Sequence, residues 1–238
     1  MSASDAFIVG ESWISEHYFT SDSTKESFHS RVLARRKDWD NASREGEETI
    51  RSCFSAHRRE LLTEFSALSA NGDGQTPEDL HTLYKDFLTI FGYQQANLSR
   101  EASGPLITVA SAGLENSPSL IIVEARPVSD VTELLAKDAE TLLRPFIDDD
   151  EPEPVCSVAR LLSREFVSDN APKFALVLAG GTAMIAERTR WAEGRYLAID
   201  LAVVCDRNED RRGGEIDRAL TCLSAESLAP DAQGSIWW

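Results

Sequence analysis

Residues 80–126 carry the feature that most constrains this chain, a helix-period stripe followed at once by three short apolar runs. Leu80, Leu83, Tyr84, Phe87, Leu88 and Phe91 recur at the i, i+3, i+4, i+7 spacing of one buried helical face. Gly92 ends the stripe. Apolar runs at 96–98, 106–110 and 120–123 are separated by Ser, Gly, Asn and Pro, and predict a small meander of strands. The third run ends in Glu124-Ala125-Arg126. Residues two apart on a strand share a face, so this carboxylate and guanidinium are expected to point into the same space.

A chain of 238 residues, 42% hydrophobic and 27% charged, can bury one substantial core, with or without a helical appendage. No apolar run approaches bilayer length, and the first twenty or so residues lack a basic-then-apolar leader, so a cytoplasmic protein without a membrane partner is expected. Cys53, Cys156, Cys205 and Cys222 lie far apart with no C-x-x-C pair, which favours structural burial over zinc binding. A net charge of -16 suits independent nucleic-acid binding poorly, because phosphate contacts need clustered Lys and Arg. Arg31, Arg35, Arg36 and Lys37 on one helix, and Arg207, Arg211 and Arg212 later, are interleaved with acids. They read as solvated faces laced with ion pairs.

Along the chain, Trp13, Tyr18 and Phe19 crowd a short helix or turn that must dock on something. A helix start at Asp22 or Ser23, with Glu26 following, leads through Phe28, Val32 and Trp39 to about Asp40. Residues 45–69 predict a long amphipathic helix whose stripe includes Ile50, Cys53, Phe54, His57, Leu61, Phe65 and Leu68, with His57 as a packed core histidine. Thr76-Pro77-Glu78-Asp79 opens the next helix with an N-cap, a first-position proline and first-turn acids. Residues 128–143 read as helical, and 147–154 as an acidic, proline-broken loop unsuited to fixing metal ligands. A helix is expected over 156–167, a β-hairpin over 174–187 around Gly180-Gly181, a strand over 196–205 and a helix over 215–224. Trp237 and Trp238 are expected to form an exposed apolar terminus.

The order helix, three strands, Glu-x-basic, helix, hairpin resembles the PD-(D/E)XK nuclease fold. With the hairpin Phe174-Ala175-Leu176-Val177-Leu178-Ala179-Gly180-Gly181, it looks like the N-terminal nuclease-like region of large restriction-modification DNA methylases. The closing stretch is the more specific part. The segments 191–201 and 223–230 resemble the linker ahead of the helical spacer and methyltransferase core in single-chain restriction-modification enzymes and antiphage-defence methylases. The resemblance covers 11–238 and implies an α/β fold, a mixed sheet flanked by helices. It implies an N-terminal helical region at 1–75, a nuclease-like core at 76–205, and a C-terminal helix and linker at 206–238 leading towards a spacer beyond Trp238. Partners would be DNA, through a larger assembly, and a methyltransferase region or another defence-system protein.

For the site, the resemblance implies Glu124 as a metal-binding carboxylate, Arg126 in the position of the nuclease lysine, and Glu115 as the nearest candidate for a second acid, with Mg²⁺ as the cofactor of an active enzyme. Two departures stand out. The middle run Leu106-Ile107-Thr108-Val109-Ala110 carries no acid, and a hard cation wants several oxygen ligands. Arg126 keeps positive charge but activates water poorly, since its guanidinium does not deprotonate. A nuclease-like domain with a degenerate site is therefore the expectation, beside an active Mg²⁺-dependent endonuclease or an acidic protein-interaction domain. The glycine-rich cofactor loop and Asn-Pro-Pro-Tyr tetrapeptide of the family's methyltransferases are absent, so this sequence does not carry methylation.

Overall fold

The computed structural model describes residues 5–13, 27–71, 75–95, 97–114, 119–148, 153–230 and 235–237. Among the described residues the first α-helices are α1 (Phe28–Arg44), α2 (Ile50–Asn71) and α3 (Pro77–Ile90). Ser27 caps α1 by accepting from the Ser30 amide at 3.2 Å, and the expected start at Asp22 or Ser23 lies outside the described residues. The cap of α3 is as its sequence predicts. Thr76 Oγ1 accepts from Asp79 N at 3.3 Å, while Asp79 Oδ2 accepts from Thr76 N at 3.1 Å. Gly92, at φ 81°, turns the chain out of α3 in the left-handed region that favours glycine, and a Cβ there would press on Ile50 Cδ1.

Seven strands form one mixed sheet in the order β1-β7-β6-β5-β4-β3-β2. They are β1 (Phe7–Val9), β2 (Leu98–Ser103), β3 (Leu106–Ser111), β4 (Leu120–Ala125), β5 (Phe174–Ala179), β6 (Thr182–Glu187) and β7 (Tyr196–Asp200). All neighbours run antiparallel except β4 and β5, which are parallel. A parallel pair cannot be joined by a tight turn, so residues 126–173 cross one face of the sheet between them. That crossing carries α4 (Val158–Glu165). Four further helices follow β6: α5 (Arg188–Trp191), α6 (Leu201–Arg207), α7 (Glu215–Leu223) and α8 (Ala225–Leu228).

Period-two alternation divides the interior in two. Leu120, Ile122, Leu176, Leu178, Ile185 and Ile199 join Phe28, Phe54, Leu83, Phe87 and Leu220 in one core, so α1, α2, α3 and α7 cover that face. Ile121, Val123, Ala175, Val177 and Met184 pack with Leu134, Leu161 and Leu162 on the other. Strands β4 and β5 are buried at every position, which is why they read as apolar runs broken only by Glu124. Each Val, Leu, Ile or Phe side chain among them contributes about 1.5–3 kcal/mol relative to exposure. The N-terminal helices thus share a core with the sheet, and no described helix is long and apolar enough to cross a membrane.

Several local expectations are corrected. The first run of the meander is displaced, with β2 spanning Leu98–Ser103 rather than 96–98. Residues 128–143 form only a capped 3-10 turn at Val131–Leu135; the chain then pairs with the sheet, bridging Leu142 to Ala125. The run expected as a strand over 196–205 breaks at Asp200, whose carboxylate accepts from Val203 N at 3.0 Å and starts α6. His57 is exposed and turns its Nδ1 to Cys53 O at 2.9 Å, so it is no core histidine. Arg31, Arg35 and Arg36 of α1 are half-buried, and Arg31 donates to Ser235 O and Arg35 to Glu226 O in the C-terminal elements. Trp237 is not an exposed end. Its ring stacks on Trp13 at 5.4 Å and its Nε1 donates to Cys222 O at 2.9 Å, while Trp238 lies outside the described residues.

Candidate functional site

The helix α3 and the crossing 126–173 meet at the carboxyl end of β4, beside the carboxyl end of its parallel neighbour β5. In open α/β sheets this end of parallel strands is where ligands gather. Glu124 lies there with 2% of its surface exposed. Its place is fixed by the backbone on both sides: Glu124 N donates to Pro105 O at 2.8 Å, and Leu143 N donates to Glu124 O at 3.0 Å. Being even-numbered, Glu124 shares the face of Leu120 and Ile122, the face that α3 covers.

Helical spacing aims α3 at this point. Glu78 and His81 stand three apart along the border of the apolar stripe, and Tyr84 stands three further on. His81 Nδ1 lies 2.8 and 3.0 Å from the two carboxylate oxygens of Glu124. Tyr84 donates its hydroxyl to Ala125 O at 2.6 Å and accepts from Gly180 N at 2.7 Å, tying the ends of β4 and β5 together. Gly180, at φ 63°, makes this approach feasible, since a Cβ would lie 2.9 Å from Pro127 Cβ. Arg144 donates to Glu78 Oε1 at 3.2 Å.

Burial pushes the Glu124 carboxyl above its ordinary value of 4.5, and the His81 hydrogen bond and the His81 and Arg144 charges pull it back only in part. An ionised Glu124 can only accept, so Nδ1 must carry the proton, which leaves Nε2 of the half-exposed ring as the acceptor towards solvent when the ring is neutral. A raised carboxyl binds more protons folded than unfolded. Its contribution to stability is therefore complete below 4.5 and is lost as pH rises through the higher folded value. Urea midpoints measured from about pH 4 to about pH 7 are expected to fall less steeply in Glu124→Gln than in the parent chain. Parallel curves would show that Glu124 titrates as an ordinary exposed acid.

Protein-family models, curated proteins and solved structures give no match to this chain. Its site is read from its own residues.

Of the three residues the sequence marks, Glu124 takes His81 as partner, while Arg126 turns to Glu140 at 4.0 Å, with both of those side chains exposed. Glu115 lies outside the described residues. The ladder runs from Leu106↔Val123, so the residue of the β3 side opposite Glu124 is Pro105, which brings no carboxylate. Magnesium demands near-octahedral oxygen coordination. One carboxylate already spanned by an imidazole does not fit it, and the Glu78 carboxylate is engaged by Arg144. His81 is the site residue that sequence reasoning missed. It was detectable as a titratable side chain on the border of a buried helical stripe, one turn from Glu78.

Proposed function

We propose that this chain is a nuclease-like module of a restriction-modification or antiphage-defence DNA methylase, degenerate in its cutting site and acting by engaging DNA or a partner protein. The observation that carries this reading is Glu124 at the end of a central strand, met by His81 and Pro105 where a cation-dependent nuclease needs further oxygen ligands. The element order supports it as well: a helix, three antiparallel strands, a crossing with a helix, and a strand parallel to the third.

Supercoiled plasmid incubated with the protein and Mg²⁺ or Mn²⁺ is expected to stay intact, with Glu124→Ala indistinguishable from the parent. Mn²⁺ calorimetry is expected to give no site tighter than about millimolar. Nicking that Glu124→Ala abolishes, or micromolar Mn²⁺ binding lost in the same variant, would move the assignment to an active endonuclease.

A specific feature favours partner engagement over direct DNA contact. Two arginines at the site each have a carboxylate neighbour: Arg126 with Glu140 and Arg144 with Glu78. Phosphate would have to displace these acids in a chain of net charge -16. Binding of a short duplex followed against salt separates the two modes, because phosphate contacts give an affinity whose logarithm falls linearly with log salt.

A further inference from the structure

A site that holds a metal ion poorly still holds an imidazole well. Glu124 meets His81 Nδ1 with both carboxylate oxygens, and its own backbone is bonded on both sides, so the ring has one fixed orientation. The other ring nitrogen, Nε2, makes no hydrogen bond among the described residues, and the side chain is half-exposed. A buried carboxylate on one nitrogen with the other left open is what a general base requires. The carboxylate fixes the tautomer and stabilises the imidazolium that forms when Nε2 takes a proton. A cation stands beside the pair. Leu143 N is bonded to Glu124 O, which brings Arg144 to the same strand end, and its charge acts on the Glu124 carboxyl. Arg144 Nη2 also donates at 3.2 Å to Glu78, one helical turn before His81, so the four side chains close a ring. The Glu78 pair is open to solvent and contributes little, and the other guanidinium nitrogens of Arg144 make no hydrogen bond among the described residues.

No hydroxyl or thiol of the chain is bonded to His81 among the described residues, so a nucleophile has to come from outside. RNA brings its own, a 2′-hydroxyl beside a phosphate whose charge suits Arg144. We propose that His81, oriented by Glu124 and assisted by Arg144, cleaves single-stranded RNA without a metal ion. Nε2 takes the proton of the 2′-hydroxyl, and the 2′-oxygen bonds to the adjacent phosphorus. The bond from phosphorus to the 5′-oxygen of the next nucleotide breaks, and that oxygen leaves with a proton from solvent. His81 then returns its own proton to solvent, so no metal, oxidant or further reactant is consumed. The products are a 2′,3′-cyclic phosphate and a free 5′-hydroxyl. Arg144 offsets the charge that builds on the phosphate oxygens during the attack. This step needs one phosphate at one guanidinium, whereas duplex binding needs a run of them, so the net charge of -16 weakens affinity without removing the chemistry. The activity does not depend on the chain's being part of a DNA methylase, and plasmid nicking with Mg²⁺ tests that other reading separately.

The probe is a fluorogenic single strand of DNA carrying one ribonucleotide, incubated with the full chain in EDTA and a protein inhibitor of contaminating ribonucleases. Cleavage is expected at the ribonucleotide, leaving a 2′,3′-cyclic phosphate, with the all-deoxy strand left intact. His81→Gln can still donate to Glu124 but cannot take a proton, and it is expected to lose about 100-fold or more in rate. Glu124→Gln is expected to lower kcat by about tenfold or more with KM kept, because Glu124 acts through the ring and not on the substrate. Added imidazole is expected to restore part of the activity of His81→Gly, which a merely structural role for the histidine would not allow. Thermal unfolding of each variant reports that the fold is kept. A parent chain that leaves the ribonucleotide intact overturns the proposal whatever the variants do. Cleavage that needs Mg²⁺, cutting of the all-deoxy strand, or equal activity in His81→Gln would overturn it as well.

Discussion

Replacing Asp217 by alanine is expected to lower stability by about 3–5 kcal/mol, the range for removing one partner from a buried ionic network. The Asp217 side chain has no exposed surface. Arg36 of α1 donates to both of its oxygens at 3.1 Å, Arg51 of α2 donates to Oδ1 at 3.1 Å, and Gly213 N donates to Oδ2 at 2.8 Å. One carboxylate thus joins two helices to the start of α7, and alanine would leave two guanidinium groups and an amide facing no acceptor there. Arg36 keeps Asp40, and Arg51 keeps Asp210, so both retain a partner nearer the surface. That retention is the reason to expect partial destabilisation rather than failure to fold. In a chain of this size the loss corresponds to a fall in Tm of roughly 10 °C. Asp217→Asn, which keeps one acceptor oxygen, should lose less. A urea midpoint unchanged in Asp217→Ala would mean that the network contributes nothing net.

Tyr84→Phe should cost about 1–3 kcal/mol although it removes a single oxygen. That oxygen joins two strand ends, donating to Ala125 O and accepting from Gly180 N, and both lie in the buried interior. Phenylalanine fills the same space, so no cavity term enters and the loss reports the orphaned amide and carbonyl. Burial pushes the Tyr84 hydroxyl far above its ordinary value, so it remains a donor across the whole working range of pH. Hydrogen exchange offers a second readout. The Gly180 amide should exchange faster in Tyr84→Phe, while amides within α3 keep their protection. Uniform loss across α3 would instead mean that the helix is displaced.

The elements that sequence reasoning located are those where local chemistry and burial agree. Thr76-Pro77-Glu78-Asp79 caps α3 by itself, and Leu120–Ala125 and Phe174–Ala179 are apolar at almost every position because both sheet faces are covered. Of three failures, two come from tertiary pairing that no local window contains and one from a local cap. The region 128–143 has helix-compatible spacing, but Arg126 N donates to Thr141 O and Leu143 N to Glu124 O, so the end of β4 claims this backbone for the sheet. The run 196–205 hid its break because Asp200 was read within an apolar strand and not as an N-cap. Strand β1 is three residues long and exists through its pairing with β7, so no periodicity could announce it. Glu124 was legible from its place at a strand end. The pairing of Glu124 with His81 was not, since the two are brought together by packing of α3 on the sheet and not by spacing.

The pairing of β1 also orders events in time. Phe7, Ile8 and Val9 meet Ile199, Ala198 and Leu197, so the first of the described strands is docked on the last of them. Closing so long a loop costs entropy before any contact repays it, and a strand of three residues repays little. A nascent chain interrupted before Tyr196 has no place for β1, however well β2 to β6 have assembled. Until β7 has been made the segment 7–9 stays unpaired, and the sheet gains β1 only after its other six strands exist.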